Sequence, residues 1–344
     1  MKRKFLSLVR VMAVVAMLVA IVGCGAKEQK TGQSETEVTK QGAVQTTQQS
    51  QSDKRIVGFL EKNEVDVYHV ALNSAVTKVL KKAKSDGVIA DYFVMDGQSD
   101  PVKQNNQMEE LINMGCTDFI CIFAEGEGAV PIVTRAAELG ANLVNVDSMA
   151  ANIDDYEQFV RVNPDNTAAS NMQADYAMSL LDGGGYCILS GISGNMVAQQ
   201  RHNGVREVLD KNDSWKLLDE QWADWDPEKS VKLMEDWLSL YGDNLKVVFC
   251  GNDTMAIAAA GVCNAAGRDD IIVIGIDAIE SAINMIENGE MNATIWQDSN
   301  LQATTAAEML IELIKGEKVD HYIEIPNTLI TKENVDKWYA GQPE

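Results

Sequence analysis

Positive charge is scarce in this chain of 344 residues. Lys and Arg number 29 against 51 Asp and Glu, which gives a formal net charge of −22. Four of the positive charges (Lys2, Arg3, Lys4 and Arg10) lie within the first 23 residues, and the remainder without them carries −26. A body this acidic repels nucleic acid and anionic membrane surfaces. We therefore expect neutral or cationic partners and no nucleic-acid binding.

Signatures of catalysis and of metal binding are sparse as well. The three histidines, His69, His202 and His321, have no spacing typical of zinc ligands. No G-x-S-x-G surrounds Ser190 or Ser193, so the nucleophile motif of serine hydrolases is missing. The sequence thus favours a protein that is not an enzyme and that needs no cofactor and no metal ion.

The N-terminal apolar stretch from Val11 to Val22 is too short to cross a bilayer. It follows a basic segment and ends at Ile21-Val22-Gly23-Cys24, as an export signal does. This tetrapeptide resembles the lipobox of bacterial lipoproteins, which implies that residues 1–23 are a removed signal peptide and that Cys24 is lipidated. An ordinary cleaved signal with an incidental Cys24 is the alternative. We expect an extracytoplasmic protein that contacts the cell membrane only through its lipid anchor at Cys24.

Residues 24–53 should form a tether behind that anchor. From Gly25 to Asp53 the chain is rich in Gln, Thr, Ser, Lys and Glu and almost devoid of apolar residues. Such a composition cannot build a core, so we predict a disordered segment.

Five cysteines follow Cys24, an odd number that leaves at least one free thiol outside the cytoplasm. Cys121, Cys187 and Cys250 lie in apolar runs typical of strands, where a thiol behaves as a small hydrophobic group. We predict that none of the five forms a structural disulfide.

From Arg55 onward, short β-rich runs alternate with segments of helical periodicity, which predicts α/β architecture in two similar lobes. Strands are predicted near residues 56–60, 92–95, 119–123, 143–146, 186–190, 216–220, 247–250, 271–276, 293–296 and 323–330. Helices are predicted near residues 67–85, 101–114, 129–139, 168–181, 197–209, 228–240, 254–266, 279–287 and 301–314. Asp100-Pro101 supplies an N-cap and a first-turn proline.

The stretch from Lys246 to Ala278 predicts a βαβ unit. An apolar run ends at Cys250, an Ala-rich helical segment follows, and a second apolar run ends at Asp277. The carboxyl ends of parallel strands lie on one edge of a sheet, where open α/β sheets hold their ligands. Asn252 and Asp277 should therefore face the same crevice, although Asn252 or Asp253 could instead only cap the helix.

Other polar side chains also follow predicted strands, namely Asp147 and Gln297, while Arg201 lies on the helix after Ser190–Gly194. Singly, each can be read as a cap, a turn residue or a solvated charge. Jointly, they could point into one cleft between neighbouring lobes.

Aromatic residues supply a further element of a binding site. Trp222 and Trp225 precede a helix that Asp226 should cap and Pro227 should open. We expect Trp225 to cover the apolar face of a sugar ring and Trp222 to pack in the core. Tyr68, which follows Asp66, is the matching aromatic of the first lobe.

From about Arg55 to its C-terminus the chain resembles the type I periplasmic sugar-binding proteins, the galactose/glucose- and ribose-binding group, in a bacterial lipoprotein form. The resemblance rests on KQNNQMEELINMG (103–115), ADWDPEKSVKLMEDWLS (223–239), VVFCGNDTMAIAA (247–259) and VIGIDA (273–278). It implies two Rossmann-like, doubly wound lobes joined by a three-strand hinge, with crossings near Val162-Asn163, Gln297-Asp298 and Ile330. The N-terminal lobe would comprise residues 54–162 plus 298–329, and the C-terminal lobe residues 163–297 plus 330–344.

The resemblance also implies a set of ligand-binding residues. Their roles would be hydrogen bonding by carboxylate, amide and guanidinium groups and stacking by two aromatic rings. The residues at the matching positions are Asp66, Tyr68, Asp147, Arg201, Trp225, Asn252, Asp277 and Gln297.

Three positions depart from the galactose/glucose branch, which leaves the choice of sugar open. Asn195 and Val197 stand where that branch has His and Asp, and Ser148 stands where relatives carry Lys or Arg. The branch's calcium loop is also missing, since Leu181 is followed by Asp182-Gly183-Gly184-Gly185 without alternating oxygen ligands. We predict no bound calcium.

The function implied is capture of a monosaccharide (a hexose, pentose or polyol) by a monomer that delivers it to an ABC transporter permease. One alternative is a sugar-sensing protein that presents its ligand to a membrane receptor or sensor kinase. Another is an exported glycoside-processing enzyme, in which Asp147 and Asp277 would form a carboxylate pair across the cleft. Incubation with glycosides distinguishes the enzyme from the two binding proteins, because a binding protein yields no product.

Overall fold

The computed structural model of the protein describes residues 55–339. The predicted signal peptide, the lipidated Cys24 and the tether up to residue 53 lie outside the described residues. Within residues 55–339, no helix has both the length and the hydropathy that a membrane span needs.

The described chain alternates strands and helices almost throughout. In chain order the strands are β1 (Ile56–Glu61), β2 (Asp91–Asp96), β3 (Asp118–Cys121), β4 (Asn142–Val146), β5 (Val160–Pro164), β6 (Gly184–Ser190), β7 (Trp215–Trp222), β8 (Leu245–Cys250), β9 (Ile272–Asp277), β10 (Ala293–Gln297), β11 (Tyr322–Ile325) and β12 (Asn327–Thr331). The helices are α1 (Val67–Ser85), α2 (Pro101–Asn113), α3 (Val130–Leu139), α4 (Asn166–Leu180), α5 (Met196–Leu209), α6 (Pro227–Tyr241), α7 (Asp253–Ala265), α8 (Glu280–Asn288), α9 (Ser299–Lys315) and α10 (Val335–Tyr339).

The strands form two six-stranded sheets, which confirms the predicted α/β architecture in two similar lobes. The first sheet has the order β11-β5-β4-β3-β1-β2, and all of its strands are parallel. The second sheet has the order β12-β10-β9-β8-β6-β7, and it is parallel except for β12, which runs antiparallel to β10.

Each sheet is covered by helices on both faces, as expected for parallel strands with helical crossovers. In the first lobe, Val57 and Phe59 of β1 face a core that includes residues of α1 and α9, whereas Leu60 faces the core under α2 and α3. In the second lobe, Leu189 of β6 packs with residues of α6, α7 and α8, while Ile188 packs with residues of α4 and α5. Alternate side chains of one strand thus serve opposite faces.

The chain passes between the sheets at three places. Two of them, after Pro164 and after Gln297, lie close to the crossings predicted near Val162-Asn163 and Gln297-Asp298. The third lies at Pro326, since β11 pairs with β5 and β12 already pairs with β10 from Asn327 onward. The crossing predicted at Ile330 and the placement of residues 327–329 in the N-terminal lobe are therefore wrong. Proline has no N–H group to continue a sheet ladder, which explains the position of the break.

Several local predictions are confirmed. Asp100 caps α2 through hydrogen bonds from Val102 N (2.8 Å) and Lys103 N (3.1 Å). Asp226 caps α6 in the same way, with Pro227 in its first turn.

The sequence pattern did not reveal β5 or the short α10. The five cysteines after Cys24 are all buried and free: Cys116, Cys121, Cys187, Cys250 and Cys263.

Candidate ligand-binding cavity

A cavity lies between the two lobes, at the carboxyl ends of strands from both sheets. It contains about 340 Å³ of atom-free space. Seven of the eight residues predicted for the site line it, and Gln297 does not. The lining residues are Lys62, Asp66, Tyr68, His69, Asp147, Ser148, Val197, Arg201, Trp225, Asn252 and Asp277.

The start of α1 brings the first group of side chains to the cavity. Asp66 caps this helix by accepting a hydrogen bond from Tyr68 N (2.9 Å). Asn63 accepts from Asp66 N (2.9 Å) and fixes the loop just before the cap. Tyr68 is buried, and its hydroxyl accepts a hydrogen bond from the Gln302 amide of α9. The hydrogen bond from Gln302 therefore fixes the aromatic ring that is predicted for the first lobe.

His69 joins two of the predicted carboxylates, although the sequence had not indicated it as a site residue. Its Nε2 lies 3.2 Å from Asp147 Oδ2, and its Nδ1 lies 3.5 Å from Asp66 Oδ2. Ser148 donates a hydrogen bond to the same Asp147 oxygen (2.8 Å). The available signal was the i,i+3 spacing of Asp66 and His69 on one helical turn, but the contact with Asp147 spans 78 positions in sequence.

These contacts shift the ionisation of all three groups. Burial by itself would raise the pKa of Asp66, but the His69 imidazole, whose Nδ1 lies 3.5 Å away, lowers it to about 2. Burial is likewise overcome at Asp147, where the same imidazole, with Lys62 and Arg201, holds the pKa below its usual range. Burial and the Lys62 charge oppose protonation of His69, yet its hydrogen bond to Asp147 and the nearby Asp66 carboxylate raise its pKa above the usual value. The geometry thus favours an imidazolium between two carboxylates.

Arg201 of α5 organises the opposite wall. The side chain is only 5% exposed. Its Nε donates to Asn166 Oδ1 (3.0 Å) and its Nη1 to Gly251 O (2.6 Å). Nη1 also lies 3.4 Å from Asp277 Oδ1. Burial raises the pKa of Asp277 well above its usual range, and the guanidinium opposes that rise.

Gln297 holds the Arg201 guanidinium in place and does not line the cavity. Its Oε1 accepts from Arg201 Nη2 (2.7 Å), and its Nε2 donates to Asn327 Oδ1 (3.0 Å). A direct ligand contact of Gln297 stays a prediction, and in this structure both ends of the amide are used inside the protein and the side chain is fully buried.

The turn after β8 shows which of two neighbouring residues caps α7. Asn252, which has extended backbone, caps α7 by accepting from Met255 N (3.0 Å), and it also lines the cavity. Asp253, the other candidate for the cap, is the first helical residue and accepts from Thr294 Oγ1 (2.6 Å) and Ile279 N (2.9 Å). The extended residue before a helix is the one whose side chain reaches the free N–H groups, so the cap falls to Asn252.

The two tryptophans lie in different surroundings. Trp225 lines the cavity and packs against Gly191, where a Cβ would lie 2.1 Å from the indole ring. Its Nε1–H is buried without a hydrogen-bond partner in the protein. Trp222 is 38% exposed and stacks on His202 at a centroid distance of 5.2 Å, so its predicted place in the core is wrong.

Comparison with known proteins assigns the chain to a family. The sequence profile of a family described as "periplasmic binding protein domain" matches residues 57–318. This chain belongs to the periplasmic binding protein family. The D-allose-binding periplasmic protein of Escherichia coli is 30% identical over 69% of this chain and 78% of its own length. The xylitol-binding protein of Mycolicibacterium smegmatis is also 30% identical, over 69% of this chain and 68% of its own length.

A solved structure shows the same fold. An ABC transporter solute-binding protein from Bacillus halodurans, determined with bound myo-inositol, superposes with a TM-score of 0.78 at 24% identity. The superposition covers 85% of this chain and 99% of that protein. The predicted type I periplasmic binding protein fold is thereby confirmed, as is the predicted family. The family consists of solute-binding proteins and not of enzymes.

The two lobes of this periplasmic binding protein touch at the rim of the cavity. Asn195 caps α5 by accepting from Ala198 N (3.0 Å) and donates to Ala124 O of the first lobe (3.3 Å). Nearby, a Cβ at Gly126 would lie 2.6 Å from Met196 Sδ. Of the three positions that depart from the galactose/glucose branch, Val197 and Ser148 line the cavity, whereas Asn195 joins the lobes.

Within the described residues, no group of three or more His, Cys, Asp or Glu side chains is arranged to hold a metal ion. The cavity lining offers carboxylate, guanidinium, ammonium, amide and hydroxyl groups.

Proposed function

We propose that this protein captures a monosaccharide or a related polyol between its two lobes and delivers it to an ABC transporter permease. The observation that carries the proposal is the composition of the cavity, which combines hydrogen-bonding groups from both lobes with one indole ring. Carboxylates accept hydrogen bonds from hydroxyl groups, guanidinium and ammonium groups donate them, and amides do both. Most lining residues offer such a group, as a sugar ring requires.

Direct ligand contacts would come from Asp66, Tyr68, Asp147, Arg201, Trp225, Asn252 and Asp277. His69 and Lys62 join them because they line the same cavity. Trp225 would cover the apolar C–H face of the ring, and its buried, unpartnered Nε1–H would donate to a ligand oxygen. A buried donor without a partner costs free energy in the empty protein, so a ligand acceptor at this position would be favoured.

Capture would depend on both lobes at once. Groups from the first lobe and groups from the second contact the ligand together only when the lobes are close, so the ligand stabilises the closed arrangement. Contacts such as Asn195 Nδ2 to Ala124 O would add to that stabilisation without touching the ligand.

The protein would act outside the cytoplasm, as a monomer anchored through a lipidated Cys24. The basic segment, the apolar run and the Ile21-Val22-Gly23-Cys24 sequence support this part of the proposal. Mass spectrometry of the mature N-terminus should find a diacylglyceryl Cys24, and Cys24→Ser should release the protein from the membrane fraction. A mature N-terminus that is unmodified, or that lies elsewhere, would exclude the anchor.

The test of ligand binding is a thermal-shift screen of the purified soluble body against D-allose, D-ribose, D-xylose, xylitol, myo-inositol, D-galactose and D-glucose. A ligand at 100 times its Kd should stabilise the folded protein by about 2.7 kcal/mol. Calorimetry on each hit, followed by product analysis after prolonged incubation with sugars and glycosides, should give saturable binding and no turnover. Absence of stabilisation by every compound would contradict the proposal, and appearance of a product would favour the glycoside-processing alternative.

A further inference from the structure

Asp253 lies beneath the cavity and contacts the segment that follows β9. The side chain is completely buried and does not line the cavity. One carboxylate oxygen accepts from Thr294 Oγ1 (2.6 Å), and the other accepts from Ile279 N (2.9 Å). Thr294 Oγ1 in turn accepts from Ala278 N (3.3 Å). A single carboxylate therefore holds, directly or through Thr294, the two backbone N–H groups that follow Asp277.

The backbone held in this way is strained. Asp277 has φ = 120° and Ala278 has φ = 55°, so two consecutive residues other than glycine lie in the left-handed half of conformational space. Such residues persist only where the surrounding structure fixes them. The strained turn directs the Asp277 carboxylate into the cavity, 3.4 Å from Arg201.

Contact with Asp253 also restricts the strand before the turn. A Cβ at Gly275 would lie 2.0 Å from Asp253 Oδ1. The carboxylate therefore packs directly on the backbone of β9, which only glycine permits at that position. Together with the bonds at Ala278 and Ile279, this contact fixes the chain on both sides of Asp277.

We propose that Asp253 is a positioning residue, whose buried carboxylate holds the turn at residues 277–279 and so directs Asp277 toward the ligand. The inference rests on the proposed function, because it takes Asp277 to be a ligand contact. Capping does not account for Asp253, since Asn252 caps α7. A side chain outside the cavity thus determines how tightly and how selectively Asp277, inside the cavity, binds the ligand.

The first experiment needs no ligand and consists of crystal structures of Thr294→Val and Asp253→Asn. Valine keeps the shape of threonine but removes both hydrogen bonds of Oγ1. An amide at position 253 can still accept from Ile279 N, but its Nδ2 can only donate to Thr294 Oγ1, so the Thr294 O–H group loses its carboxylate acceptor. We expect the Asp277 carboxylate to lose its contact with Arg201 in both variants, and Thr294→Ser to restore it. An Asp277 that stays in place in both variants would overturn the proposal.

The second experiment is a double-mutant cycle that joins positions 253 and 277. Affinities for D-allose, D-ribose, xylitol and myo-inositol are measured on Asp253→Asn, Asp277→Asn and the double variant. Each single change should weaken the strongest of these complexes about tenfold, which corresponds to one lost hydrogen bond to a charged group. If Asp253 acts through Asp277, the double variant should bind no more weakly than Asp277→Asn alone.

Gln173→Leu supplies a control for a merely structural effect. This buried amide donates to the carbonyl oxygens of Cys250, Ile274 and Gly275, so it supports β8 and β9 without reaching the turn. It should lower the melting temperature, and whatever effect it has on affinity should add to that of Asp277→Asn. If the effects of Asp253→Asn and Asp277→Asn on affinity simply add, the role of Asp253 is structural and the inference is overturned.

The outcomes separate the two proposals. Unchanged affinity of Asp277→Asn would reject the site assigned under the proposed function. Weakened binding by Asp277→Asn with unchanged binding by Asp253→Asn would reject the positioning role alone. If Asp253→Asn does not fold, the Thr294 variants test the positioning role instead. The contact between Asp277 and Arg201 should be lost in Thr294→Val and restored in Thr294→Ser. Where none of the four compounds binds, the position of Asp277 in the variant structures decides.

Discussion

The two walls of the cavity each place carboxylates beside a cationic side chain, but the cations differ. In the first lobe, His69 lies between Asp66 and Asp147. In the second lobe, Arg201 contacts Asp277 and is fixed by Asn166, Gly251 and Gln297. An imidazole titrates near neutral pH, whereas a guanidinium keeps its charge. We infer that the second lobe supplies a permanent framework and that the first lobe responds to pH.

The largest effect is expected at Arg201, because its removal abolishes the framework of the second wall. Arg201→Ala leaves Asn166, Gln297 and Asp277 without their shared donor. Truncation of one partner of a buried ion pair costs about 3–5 kcal/mol. Binding should fall below detection, and denaturant unfolding should show a loss of stability of that order.

Arg206→Ala is the matched control on the same helix. Arg206 pairs with Asp210 and Glu220 at a side-chain exposure of 31%. Such partly exposed pairs at the surface contribute about 1 kcal/mol to stability, and affinity should not change because Arg206 does not line the cavity. If Arg201→Ala and Arg206→Ala lose the same amount of affinity, the guanidinium of Arg201 makes no specific contribution to ligand binding.

The next effect is expected from the indole of the second wall. Trp225→Ala should weaken the binding of a screened sugar by about 1–3 kcal/mol, because the ring face and the unpartnered Nε1–H are both lost. Trp222→Ala, three residues earlier, removes a ring outside the cavity and should leave affinity unchanged. Calorimetry on the two variants compares a cavity residue with a surface residue of the same type. A stronger loss at Trp222 than at Trp225 would contradict the assignment.

The pH dependence should separate the two walls. The pKa of His69 is raised above its usual value of 6.5 by Asp147 and Asp66, against the opposing effects of burial and Lys62. Its contribution to stability is therefore complete below about pH 6.5 and is lost as pH rises through the higher pKa of the folded state. Asp66 and Asp147 have lowered pKa values, so their contribution is present above about pH 4 and is lost as pH falls below that value.

Melting temperatures of the wild type and of His69→Gln, measured from pH 4 to 9, test this difference. The wild type should exceed the variant most between about pH 4 and pH 6.5, and the gap should narrow as pH rises. A gap that is constant across the whole range would show that His69 contributes packing and not charge.

Much of the fold was accessible from the sequence, because it depends on local signals. The helix from Val67 to Ser85 was predicted with its observed bounds, and the aspartate caps at Asp100 and Asp226 were found from the following proline. The residues at strand ends could be predicted for the same reason, since parallel strands bring their carboxyl ends to one edge.

What the sequence did not reveal depends on distant contacts or on side-chain direction. His69 becomes a site residue only through Asp147, which lies far away along the chain. Gln297 stands at the predicted strand end, yet its amide is used by Arg201 and Asn327. The cap of α7 falls to Asn252 and not to Asp253, because backbone conformation, which residue type alone does not specify, decides which neighbour caps a helix.

The smallest effect is expected where the two lobes meet, at Asn195. This side chain combines a helix cap with a hydrogen bond to Ala124 O, and substitutions can separate the two. Asn195→Ala loses both, including a cap that contributes about 1 kcal/mol to stability. Asn195→Ser keeps a capping oxygen but is too short to reach the other lobe.

The serine variant should therefore melt like the wild type and bind its sugar more weakly by about 0.5–1.5 kcal/mol, the net contribution of one hydrogen bond. The loss should appear mainly in the dissociation rate, because the bond stabilises the closed arrangement and not the encounter. Stopped-flow measurements on wild type, Asn195→Ser and Asn195→Ala can resolve it. Equal dissociation rates in wild type and Asn195→Ser would mean that the lobes gain nothing from this contact, and that closure depends on the ligand and the two walls alone.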